Sequence, residues 1–92
     1  LDIGKLKNLQ ILNLDFNDIV KMPSEIGKLD KLRWLCLENN KIVNLPKSIK
    51  NLKSIEWLSI EGTPLGARHN IHYGTYITVK SPVLKKILRN EK

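Results

Sequence analysis

Residues Leu9–Asn17, Leu32–Asn40 and Ile55–Thr63 are one line written three times, at a fixed spacing of 23 residues. Apolar side chains hold the first, fourth and sixth places of each line, and Asn17, Asn40 and Thr63 hold the ninth. A period in the twenties with these offsets builds a solenoid whose coils each give one short strand and bury their leucines against neighbouring coils. About three coils are the minimum for such a stack. This chain of 92 residues has about that many, so its ends carry unusual weight.

The opening segment of each line alternates with the period of a strand, so that Leu12 and Leu14 point inward while Ile11, Asn13 and Asp15 point outward. Asn17 and Asn40 then turn the chain, and their amides can pair with backbone groups of adjacent coils because an amide both donates and accepts. Thr63 can do only part of that work. The returning side reads Met22-Pro23-x-x-Ile26 and Leu45-Pro46-x-x-Ile49. Proline there fixes φ and favours the start of a helical turn, which predicts short helical or 3₁₀ turns on the outer side.

The chain divides accordingly. Residues 1–8 repeat the second half of a coil, residues 9–31 and 32–54 are full repeats, and residues 55–66 are a degenerate last repeat. A start on Leu1 rather than Met leaves open that another coil precedes it. After Gly66 the pattern fails, and residues 67–92 are expected to be a basic C-terminal cap. Within it, Tyr73–Val79 alternates like a short strand, and Ser81-Pro82 is a strong helix start. A helix over about 82–90 would bury Val83, Leu84, Ile87 and Leu88 and show Lys85, Lys86 and Arg89 to water.

Residues 3–65 resemble leucine-rich repeat domains of the 23-residue intracellular type, with the Leu-Pro-x-x-Ile-Gly-x-Leu outer segment of that family. The resemblance implies an α/β fold: a right-handed solenoid with a parallel sheet on the concave side and helical or 3₁₀ turns outside. It also implies protein recognition as the commonest use. Glu61-Gly62-Thr63-Pro64-Leu65 is similar to the Glu-Gly-Asn-Pro-Leu ending of the repeat segment in some cytoplasmic mRNA deadenylases. Such endings close many last repeats, and no nuclease domain follows, so no catalytic role is implied.

Side chains at outward places are free of the fold's demands, and they fall into columns. The third place holds Ile11, Trp34 and Trp57; the fifth holds Asn13, Cys36 and Ser59; the seventh holds Asp15, Glu38 and Glu61; the eighth holds Phe16, Asn39 and Gly62. Neighbouring parallel strands lie about 4.8 Å apart, so the two tryptophans should touch. Paired tryptophans offer large contact area to a protein partner, and an acidic column favours a partner with a basic or mixed apolar and basic surface. The plainer alternative is a lateral stack of the tryptophans on each other and on Arg33.

The charge is lopsided. Of the formal +7, residues 1–63 contribute +2 and residues 64–92 contribute +5. If nucleic acid is contacted, as an accessory subunit of a ribonucleoprotein particle would do, the contacts fall on outer-turn lysines and on Arg68, Lys80, Lys85, Lys86 and Arg89. Stacked carboxylates argue against phosphate on the sheet side.

Catalytic chemistry finds no support. His69 and His72 lack a carboxylate or thiol nearby in sequence, so no metal or cofactor is expected. Cys36 beside Glu38 is a poor nucleophile, since acidic neighbours raise a thiol's pKa. A single cysteine and the absence of any Asn-x-Ser/Thr sequon favour a reducing compartment, intracellular and cytoplasmic. No apolar run reaches the roughly 18 residues of a membrane span.

Overall fold

Three strands of three residues each, β1 (Ile11–Asn13), β2 (Trp34–Cys36) and β3 (Trp57–Ser59), lie parallel and adjacent in a computed structural model. The model describes residues 2–72, 77–78 and 81–88. Their register is the sequence period itself: Ile11 faces Trp34, and Trp34 faces Trp57. The backbone bonds repeat with it. Arg33 and Trp34 both donate to the Gln10 carbonyl, and Glu56 and Trp57 both donate to that of Arg33. Phe16 donates to Glu38 as Asn39 donates to Glu61.

The other side of each coil is a 3₁₀ turn, at Ile3–Lys5, Ser24–Lys28 and Lys47–Asn51. Pro23 and Pro46 immediately precede the second and third turns in extended backbone, rather than opening them. Turn packs on turn as strand packs on strand, and the leucines and isoleucines lie between the two layers. Ile26, Leu29, Leu32, Leu35, Leu37 and Ile42 are wholly buried, all on the middle coils. Leu9, Leu12, Leu14 and Ile19 of the first coil are only partly covered. The outer layer is tight: a Cβ on Gly27 would fall 2.5 Å from the Ser48 carbonyl oxygen.

Asn40 ties neighbouring coils together. Its buried amide donates to the carbonyls of Leu14 (2.9 Å), Leu37 (3.1 Å) and Glu38 (3.2 Å), while its Oδ1 accepts from the Ile19 N–H at 3.0 Å. Asn17, one repeat earlier, reaches only Leu14 and Asp15 of its own coil. Thr63 keeps one of these bonds, its hydroxyl donating to Ile60 at 2.6 Å while accepting from the Gly66 N–H at 2.9 Å.

That second bond starts a new element. Thr63 N-caps a helix, α1 (Pro64–Arg68), where the sequence predicted only a degenerate coil. Pro64 stands one period after Lys41, whose N–H bonds Ile19; proline has no N–H, and Leu65 donates to the Ile42 carbonyl instead. The helix closes with Asn70 at φ 61, Asn70 N–H on Ala67 and Ile71 N–H on Gly66. This is a Schellman ending with Asn in the left-handed place that glycine usually takes.

A short strand, β4 (Ile77–Thr78), then pairs antiparallel with β3, setting Ile77 against Leu58. It falls inside the extended segment expected over 73–79; the rest of that segment lies outside the described residues. The helix expected near 82–90 is α2 (Pro82–Leu88), and residues 89–90 lie outside the described residues. Leu84 and Ile87 of α2 are buried in the common core, packed toward β4 and the Lys47–Asn51 turn.

Candidate functional site

The strands present their outward columns on one face of the sheet. Ile11 is 52% exposed and Trp34 40%, while Trp57 is half-buried. The indole rings of Trp34 and Trp57 lie 5.5 Å apart at a tilt of 36°, within the range of favourable aromatic contact. Arg33 does not stack on them as the alternative reading expected. It forms an ion pair with Glu56, which stands one repeat later.

The acidic column departs from expectation at its far end. Asp15 and Glu38 are half-buried, but Glu61 is 2% exposed, and Ser59 in the next column is as deeply covered. Both were expected to face outward. The last repeat is not an open edge: β4 pairs with β3 at Trp57 and Leu58. Ser59 donates its hydroxyl to the Glu61 carboxylate at 3.3 Å, a bond two residues along one chain. The usable part of the face is therefore Ile11, Asn13, Asp15, Trp34, Cys36, Glu38 and Trp57.

These carboxylates feel burial and one another. Burial pushes the Glu61 carboxyl above its ordinary pKa, with the Glu38 charge adding to the rise. Asp15 is raised for the same two reasons, although its Oδ1 accepts a 2.8 Å bond from the Glu38 N–H. The Cys36 thiol is raised by burial and then by Asp15, Glu38 and Glu61 in turn, which keeps it protonated and unreactive.

Phe16 is the residue the columns understated. It is 78% exposed, the most exposed large apolar side chain among the described residues, and its backbone sits at φ 59. Its column mates Asn39 and Gly62 share that left-handed conformation, at φ 58 and 74. Asparagine and glycine adopt it readily; phenylalanine does not. A large residue in a column otherwise filled by Asn and Gly was the available sequence signal.

The basic residues lie elsewhere. Arg68 is exposed at the end of α1, and Lys85 and Lys86 are exposed on α2, while Lys80 and Arg89 lie outside the described residues. Among the described residues no group of three His, Cys, Asp or Glu side chains is placed to hold a metal ion. Nor is any helix among them long and apolar enough to cross a membrane.

A parallel ladder at a 23-residue rise, with 3₁₀ turns behind it and an asparagine tying coil to coil, defines a leucine-rich repeat protein. A family model for a leucine-rich repeat region matches residues 1–71, and the chain belongs to that family. A solved structure of a leucine-rich repeat protein from Leptospira interrogans superposes with a TM-score of 0.64 at 43% identity, over 66% of this chain. The match covers 16% of that larger protein. No curated protein matches the chain. Proteins of this family generally bind other proteins and are typically non-enzymatic.

Proposed function

We propose that this chain is a non-catalytic interaction module that binds a protein partner through the concave face of a right-handed solenoid. Residues 1–66 form the repeats and residues 67–92 the cap, with α2 closing the last coil. The observation that carries the reading is Ile11 and Trp34, apolar and exposed where the fold asks for no apolar residue, with half-buried Trp57 against Trp34. Aromatic anchors of this kind dominate binding energy at interfaces, while charged neighbours steer approach and choose partners. Asp15 and Glu38 flank the row and select a partner with a basic or mixed apolar and basic surface; Phe16 extends it at the rim. The raised thiol of Cys36 suits a place in the floor of the face rather than a nucleophile's role.

The test is comparative capture. Wild-type protein identifies a bound partner by mass spectrometry, and its affinity is then measured against variants. Trp34→Ala and Trp57→Ala should each weaken binding by about tenfold or more, as truncated aromatic hot spots do. Neutralising Lys85 and Lys86 should leave it within about twofold, the effect of distant surface charge. The reverse pattern would overturn the proposal.

A further inference from the structure

A cleft of about 330 Å³ opens between the end of α1 and the start of α2, lined by Arg68, His69, Asn70, Pro82, Val83 and Lys86. Three nitrogen-bearing side chains that carry or can acquire positive charge converge there. Arg68 is held in place by a 3.0 Å bond to the Asn44 Oδ1, which uses one of its five N–H donors. Lys86 reaches the same cleft from α2, and its charge, with that of Arg68, bears on His69. Among the described residues the ion pairs are Arg33–Glu56, Lys41–Asp18 and Lys53–Asp30, so no carboxylate there neutralises Arg68 or Lys86. Residues 64–92 hold six Lys/Arg and one acidic residue, Glu91.

We propose that this cleft seats a phosphate group of a nucleic-acid strand, with Arg68 and Lys86 as its principal contacts and His69 as a third. The planar guanidinium matches two phosphate oxygens at once, and the ammonium adds a point charge. Burial, Arg68 and Lys86 hold the His69 imidazole below its ordinary pKa, so it is neutral in the empty cleft and gains a proton as an anion arrives. Exposed Lys85 carries the positive surface beyond the cleft, which suits a ligand with successive phosphates. A bilayer is the poorer fit, since Leu84 and Ile87 of α2 point into the core rather than outward for insertion. The cleft is independent of the sheet face, so either site can fail alone.

Fluorescence anisotropy of the full chain with a short single-stranded RNA, at low and at physiological salt, tests the proposal. Lys86→Gln alone, and Arg68→Gln with Lys86→Gln, should weaken binding by up to about tenfold or more and flatten the salt dependence. Lys5→Gln with Lys7→Gln, at the opposite end of the molecule, should stay within about twofold. The single Lys86 variant guards against lost folding in the double one. Inorganic phosphate should raise the His69 pKa followed by NMR and compete with the RNA. Unaltered RNA binding in both cleft variants, a His69 resonance indifferent to phosphate, or binding confined to anionic vesicles or phosphopeptides would each overturn it.

Discussion

Phe16 pairs two unfavourable properties, a left-handed backbone and a phenyl ring turned to water. Left-handed backbone costs an ordinary residue about 1–2 kcal/mol, less for asparagine. Phe16→Asn should therefore stabilise the protein by up to about 1 kcal/mol, read from urea denaturation, while weakening capture of the partner. A loss of stability would mean that the ring packs usefully after all. Glu61 makes a prediction with a definite sign. Its folded pKa lies above the ordinary 4.5, so the folded state holds the proton more tightly. The stabilising contribution is thus full below the ordinary value and is lost as pH rises through the folded value. Glu61→Gln should flatten this fall between acidic and neutral pH, in denaturation curves compared at the two ends with wild type. An unchanged pH slope would remove Glu61 as its source.

Within one coil the two layers depend on different residues. Asn40→Ala would strip the partner from the Ile19 N–H of one coil and the Leu37 carbonyl of the next, while the Leu14 and Glu38 carbonyls keep bonds from Asn17 and Phe16. Each such group left unpaired costs about 1–3 kcal/mol, so a loss of about 2 kcal/mol or more is expected in chemical denaturation. Asn17→Ala, at an exposed site bonded within its own coil, should cost no more than about 1 kcal/mol. Equal losses at the two sites would refute the tie between coils. On the outer layer, Gly27→Ala drives a methyl group into the Ser48 carbonyl and should cost about 1–3 kcal/mol, seen as a lowered Tm.

Across the molecule, burial is greatest in the middle coils and at the C-terminal end, where β4 and α2 lie over the last repeat. Leu84 is wholly buried although it belongs to no repeat. Leu84→Ala should cost about 2–5 kcal/mol. In a stack of so few coils, that loss should spread to the repeats as faster amide hydrogen exchange in β2 and β3. Exchange quickened only in α2 would show that the helix is an appendage. The charge distribution is a property of this scale too, with the acidic column on the sheet and the basic residues on α1 and α2 giving two surfaces of opposite sign.

The period of 23 determined the strands, their register and the inward leucines, because in a stack of equal coils each residue meets its own counterpart one repeat away. Asn40 and Thr63 were legible for the same reason, whereas Asn17, expected to tie coils as Asn40 does, bonds within its own coil. Ile11 and Trp34 are exposed on the sheet face, as the column pattern expected, while Trp57, whose far neighbour is Thr78 of β4, is half-buried. The expectation failed at Ser59 and Glu61, which are buried in the last repeat, the one beside which a segment with no period returns as β4. Thr63 and Pro64 did carry the start of α1, but as a cap and a missing N–H that matter only once Ile42 lies opposite. The cleft between α1 and α2 is likewise a product of tertiary structure: Arg68 and Lys86 stand far apart along the chain, and only the packing of Leu84 and Ile87 into the shared core brings their charges together.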